Sequence, residues 1–221
     1  MKQEKGRAEP EHIIDELAMK FLTILTIVFT MEEYSTTEVV YFTEPGKKNT
    51  AQTLRIAKEK TSANHVKRVL IASTFGYTVK AALDVFEDID VQFIVVGGKR
   101  SQFPNTLHEE LLAGDHVVIF HSEYSFDYPE LAWEILRRFC EGMKVCVQMN
   151  LMVSDLGILP VGEEVIAVAG TGREDFPTGG GADTAIVIEA VKSEDFFKLD
   201  LPQSKSKIIG RKIKEILCKP R

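Results

Sequence analysis

The sequence predicts an α/β fold built on a mixed, mostly parallel sheet. Three observations carry that expectation. From "TEVVYF" onward, short β-rich runs alternate with longer amphipathic stretches, the pattern of βα units. Val69, Leu70 and Ile71 form a continuous apolar run, as a strand covered on both faces requires. Finally, two late apolar runs, "EVIAVAG" and "TAIVIEA", are joined by "TGREDFPTGGGAD". That linker is too short and Gly-rich for a crossover helix, so the two strands are expected to pair antiparallel, the alternative being that one leaves the sheet.

The elements follow in order. The first strand, Val39 to Phe42, is stopped by Pro45 and Gly46, and Asn49 or Thr50 caps the helix that follows. In that helix Ala51, Leu54, Ala57 and Lys58 share one stripe. "KRVLIAS" is the second strand. It enters the turn "STFGYT" and leaves as the helix "YTVKAALDVFE". "DVQFIVVGG" and "HVVIF" are the third and fourth strands, separated by the short helix "LHEELLAG". A helix from about Tyr128 to Glu141 carries Leu131, Trp133, Ile135 and Leu136, and "KVCVQMN" reads as a fifth strand ahead of the antiparallel pair. The C-terminal stretch "QSKSKIIGRKIKEILCKPR" holds seven Lys/Arg and one Glu. It reads as a solvated surface, with an anion-facing edge as the other reading.

Composition narrows the class. A chain of 221 residues, 44% hydrophobic and 27% charged, suits one large α/β domain, or one domain plus an extension. A net charge of −6 offers no basic face for nucleic acid outside the C-terminal stretch. Cys140, Cys146 and Cys218 form an odd set without a C-x-x-C pair, and the five histidines lack ligand spacing. The cysteines therefore read as reduced, intracellular thiols, two of them in apolar surroundings, and the expected location is the cytoplasm. No metal is expected.

Residues 1–35 read as an N-terminal helical extension ahead of an α/β domain at 36–221. The uncharged run Phe21 to Met31 is eleven residues long, against the roughly 20 that cross a bilayer, and acidic residues precede it where a signal peptide carries positive charge. A helix packed on the domain or on a second subunit is the expectation, with Met31 as an alternative start. An exposed "FLTILTIVF" face would be an aggregation hazard, which favours a homo-oligomer.

In an open parallel sheet, ligands bind beyond the carboxyl ends of the strands. Four polar loops fall on that edge: 43–50, 73–78, 97–101 and 121–125. The second is the most informative. Ser73, Thr74, Tyr77 and Thr78 offer hydroxyls, Gly76 permits close backbone approach, and the next helix begins with free N–H groups and a positive dipole end. Together they make a phosphate-sized anion site. Helix capping by Ser73 and Thr74 is the competing reading. Classical nucleotide motifs do not fit. Counting G-x-G-x-x-G from Gly170 puts Asp175 where the third glycine belongs. The later glycines form a loop between strands or a flap over a ligand. No G-x-S-x-G elbow or convincing nucleophilic cysteine is present, so the catalytic residues are unknown. Asp155 and Asp183 are the most suggestively placed carboxylates, beside small residues at strand ends, where turn stabilisation competes with chemistry.

The blocks "YFTEPGKKNTAQTLRIAKEK", "VLIASTFGYTVKAAL", "GMKVCVQMNLMVSDLGILP", "EEVIAVAGTG", "GGADTAIVI" and "IKEILCKPR" together resemble the stand-alone archaeal-type proteins similar to the C-terminal α/β domain of pyruvate kinase. The resemblance covers nearly everything from Val39 to Arg221. It implies a three-layer α/β/α domain on a sheet of about five strands, one of them reversed. It also implies a phosphate at Ser73, Thr74, Gly76, Tyr77 and Thr78. Such relatives are associated with flavin mononucleotide (FMN), with Asn49, Thr50, Gly97, Gly98, Gly170, Thr171 and Asp183 as helpers. Pyruvate kinase activity is not implied, because its chemistry lives in a barrel domain that this chain is too short to include. The expected function is binding of a phosphorylated small molecule, with no nucleic-acid or membrane partner. The alternatives are a small flavin-dependent oxidoreductase, a phosphate-ester hydrolase using Asp155 or Asp183, and a regulatory subunit sensing a sugar phosphate.

Overall fold

The computed structural model describes residues 36–171, 180–198 and 212–221. Internal contacts divide the chain into units 1–38 and 39–221, and the second is described here. The N-terminal extension, the centre of the glycine-rich loop and the start of the basic C-terminal stretch lie outside the described residues.

A seven-stranded sheet forms the middle layer. Its strands are β1 (Val40–Phe42), β2 (Arg68–Ala72), β3 (Gln92–Gly97), β4 (Val117–Phe120), β5 (Glu164–Ala169), β6 (Thr184–Glu189) and β7 (Ile213–Pro220), in the order β1-β7-β6-β5-β2-β3-β4. β6 alone runs against its neighbours β5 and β7, and all other pairings are parallel. One reversed strand was expected, but in a smaller sheet.

The helices are α1 (Thr50–Ala63), α2 (Tyr77–Val85), α3 (Asn105–Ala113), α4 (Glu130–Arg137), α5 (Glu141–Asp155) and the single turn α6 (Ser193–Phe196). They fall into two layers because successive strand residues point to opposite faces. Val69 and Ile71 of β2 pack with Leu54 and Ala57 of α1, Val79 and Ala82 of α2, and Leu107 and Leu111 of α3. Leu70, between them, packs with the opposite core, which holds Leu136 of α4 and Met143, Val147 and Leu151 of α5. Val69, Leu70 and Ile71 are all fully buried, as their unbroken apolar run predicts. Among the described residues no helix is long and apolar enough to cross a membrane.

Three expectations need correction. "KVCVQMN" is not a strand but the middle of α5. Ten of the fifteen residues of α5 are buried, including Gly142, Asn150 and Ser154. A helix buried almost all round shows no amphipathic period, and its Val-Cys-Val core imitates a strand. The helix expected from about Tyr128 to Glu141 is shorter, Glu130–Arg137, and α5 begins where it was expected to end. The basic C-terminal stretch ends in a strand rather than in solvent. β7 lies between β1 and β6; Lys214, and Lys212 just before the strand, pair with Glu189, while Glu215 pairs with Lys60 of α1 at 2.7 Å. Last, the buried stripe of α1 is rotated from the expected one. Thr50, Thr53, Leu54, Ala57 and Thr61 face inward, and Ala51 is exposed.

Candidate functional site

Because six strands share one direction, their carboxyl ends form a single edge, and the reversed β6 begins at that edge with Thr184. The loops at 43–50, 73–78, 97–101 and 121–125 all open there, as does the Gly170–Thr171 exit from β5. The residues expected to bind the ligand are therefore brought to this one edge, Asp155 excepted. There they separate into two groups with different chemistry.

The first group stitches loops together. Asp183, fully buried, accepts the Gly46 amide at 2.8 Å and the Thr171 amide at 3.2 Å on Oδ2, and the Thr184 hydroxyl at 2.9 Å on Oδ1. Thr50 is buried too. Its hydroxyl donates to the Lys47 carbonyl at 2.6 Å and accepts the Ala182 amide at 3.0 Å. Asn49 donates from Nδ2 to the Glu44 carbonyl at 2.8 Å. Gly170 lies against Gly181, where a side chain would strike the Gly181 backbone. Gly181 in turn has φ +82° and would bring a Cβ to 2.5 Å from Thr50 Oγ1, so this junction needs glycine on both counts. Asn49, Thr50, Gly170, Thr171 and Asp183 thus hold the 43–50 loop against the β5–β6 connection.

The second group is the turn at 73–78 with the cleft beside it. Gly76 occupies the N-cap position of α2 with φ +83°, a backbone conformation that glycine adopts without steric cost. It also has no room for a side chain, because a Cβ would meet Leu107 at 2.6 Å. Glycine cannot cap, and Ser73 does so from across the turn: its Oγ accepts the Val79 amide at 3.3 Å. The Lys80 amide goes to the Gly76 carbonyl. Among the described residues the Tyr77 and Thr78 amides have no acceptor, so two first-turn donors remain at the positive end of α2. The capping reading therefore holds for Ser73 and not for the turn as a whole. Thr78 is buried, Thr74 half-buried and Tyr77 exposed, with the Lys47 ammonium 3.9 Å above the Tyr77 ring.

Thr74 also lines a cleft of about 360 Å³ over the ends of β2 and β3 on the α5 side, with Gly97 at the end of β3 and Gly98 just beyond it. Each glycine fits closely. A Cβ on Gly97 would lie 2.7 Å from the Phe120 ring, and one on Gly98 3.2 Å from Thr74 Cγ2. The opposite wall is α5, which contributes Lys144 and Gln148 among the apolar side chains of Val145, Met149 and Met152, and His121 closes the end. Lys144 Nζ stands 3.4 Å from Glu141. Burial alone would raise the Glu141 carboxyl, but Arg137 and Lys144 outweigh it and hold the pKa below the ordinary value.

Sequence reasoning missed Lys144 and Gln148 because their segment reads as a strand. Their spacing of four, alongside Val145, Met149 and Met152, is the helical signal that identifies them. Asp155 is not brought to this edge. It ends α5 rather than a strand, and it accepts the Tyr128 hydroxyl and the Ser193 amide, each at 2.8 Å. The start of α5, at Gly142, lies against Thr184, so Asp155 stands about 20 Å away along the helix. No family model matches the chain.

Proposed function

We propose that the protein binds a phosphorylated small molecule, with FMN as the ligand to test first and the phosphate at the first turn of α2. One observation carries the proposal: the Tyr77 and Thr78 amides, without acceptors among the described residues, share a turn with Thr74, which also lines the adjoining cleft. A dianion at a helix start gains both charge-assisted hydrogen bonds and the dipole. A cleft of about 360 Å³ falls within the usual range for small-molecule sites, and its methionine and valine wall opposite a glycine pair suits a planar ring with few polar anchors. The resemblance to the domain at the end of pyruvate kinase supports the same reading.

Titration with FMN, followed by flavin fluorescence and by the thermal midpoint, tests it. Saturation and a raised midpoint are expected. Thr74→Ala combined with Thr78→Ala should weaken binding by about 1.5–3 kcal/mol for each charge-assisted bond lost, about tenfold or more per bond. An unchanged midpoint and unquenched fluorescence in excess FMN would refute the flavin. Parallel failure with a panel of sugar phosphates would refute the phosphate site itself. Bleaching of bound flavin by NADH or NADPH, with turnover on a quinone or oxygen, would place the protein among flavin-dependent oxidoreductases rather than binding proteins.

A further inference from the structure

Helix α4 buries only one of its large aliphatic side chains, Leu136. Leu131 is 72% exposed, Ile135 55% and Phe139, just past the helix, 50%. Spacing of four places the three on one stripe about 12 Å long. The backbone keeps the stripe continuous beyond the helix, since the Phe139 amide donates to the Leu136 carbonyl at 3.1 Å and the Lys219 ammonium caps the Phe139 carbonyl at 3.3 Å. Contiguous apolar side chains of this kind on a folded surface mark a docking face.

The charges beside the stripe say what docks there. Glu134 and Arg138 lie four residues apart on the same flank, about 100° and 60° from Ile135 around the axis. Arg138 is exposed and makes no ion pair among the described residues, while Glu134 is half-exposed and meets Arg137. In a parallel two-fold pair the charged flanks of the two copies fall on opposite sides of the seam, so Arg138 of one meets no Glu134 of the other. An antiparallel copy, related by a two-fold axis at Ile135, brings Arg138 of each molecule opposite Glu134 of the other, about 3 Å apart along the axis. The same operation packs Leu131 against Phe139 and Ile135 against itself. The surface is self-complementary in the way an isologous interface requires.

We infer that α4 is a homodimerisation face: two copies of the chain pack antiparallel through Leu131, Ile135 and Phe139, flanked by reciprocal Arg138–Glu134 pairs. The stripe is short, so the interface belongs at the low end of the size range and the dimer is concentration-dependent. The inference does not depend on the ligand.

Sedimentation velocity of the full chain from about 1 to about 200 μM tests it. The sedimentation coefficient should rise from monomer to dimer across that range. Ile135→Glu should remain monomeric throughout, and Arg138→Glu should weaken association about tenfold or more. Glu134→Arg combined with Arg138→Glu should restore it to within a few-fold of the original. Ile135 is exposed, so its variant should keep the wild-type thermal midpoint, and Leu131→Gln provides a second disruption if it does not. A chain that stays monomeric at every concentration would overturn the inference. So would a dimer indifferent to Ile135→Glu and Leu131→Gln, or a charge swap no better than Arg138→Glu alone.

Discussion

Replacing Asp183 distinguishes a residue that holds the site together from one that touches ligand. Its carboxylate is fully buried and accepts two backbone amides and one hydroxyl. Asp183→Ala leaves the Gly46 and Thr171 amides without an acceptor, at about 1–3 kcal/mol each. The Thr184 hydroxyl loses less, because Cys140 Sγ lies 3.4 Å away. The sum is about 2–6 kcal/mol, before any contribution from the cavity. For a chain of this size each kcal/mol lowers the thermal midpoint by about 2–4 °C, so a fall of roughly 4–24 °C is expected. Asp183→Asn should cost much less, about 1–2 kcal/mol: its amide oxygen can accept both backbone donors, and its NH2 can donate to Thr184 once that hydroxyl turns. Thermal denaturation of both variants, with FMN titration of whichever stay folded, provides the assay. Asp183→Asn should bind FMN within a few-fold of wild type. Equal midpoints for Ala and Asn, or loss of ligand by Asn at an unchanged midpoint, would refute the structural role and make the charge itself functional.

His116 accepts the Phe93 amide through Nδ1 at 3.2 Å, and burial holds its pKa below the ordinary 6.5. The unfolded chain therefore takes up the proton first, so stability is complete above about pH 6.5 and declines as pH falls toward the lowered native pKa; thermal midpoints from pH 5 to 8 should show a slope that His116→Gln flattens. Among the cysteines, burial raises the Cys146 thiol well above its ordinary pKa and pushes Cys218 up to about 11, whereas Cys140 is only partly buried. Native alkylation read by mass spectrometry should modify Cys140 first and the other two only on unfolding. Gly142→Ala should destabilise by about 1–3 kcal/mol, because its Cβ would sit 2.5 Å from Thr184 Cβ; an unchanged denaturation midpoint would show that α5 is free to shift away from β6.

The strands covered on both faces were legible because burial leaves a direct mark: Val69 to Ile71 have no polar residue among them. The antiparallel pairing of β5 with β6 was equally legible, since a linker without helical pattern leaves no means of crossing over. Two elements were not. α5 is enclosed by the sheet, α4 and α6, and uniform burial erases the periodicity that separates helix from strand. β7 reads as basic and solvated because Glu189, the acid that meets Lys212 and Lys214, is distant in sequence, and only its approach offsets their charge.

The candidate site divides along the same line. Glycine at 76 and the small polar residues around it specify a strand–turn–helix junction through local sterics and propensity, and that much the chain carries in its order of residues. Which hydroxyls and amides remain available is a matter of what else arrives. Ser73 is committed to Val79, Thr50 to Ala182, and Asp183 to Gly46 and Thr171, while Lys144 and Gln148 face Thr74 across a cleft that exists only because α5 returns from β4 to β5 over the sheet. Local sequence determines the conformations each segment prefers. The assignment of each polar group to the fold or to a ligand is decided by long-range packing, because a hydrogen-bond partner a hundred residues away leaves no trace in the neighbours of either group.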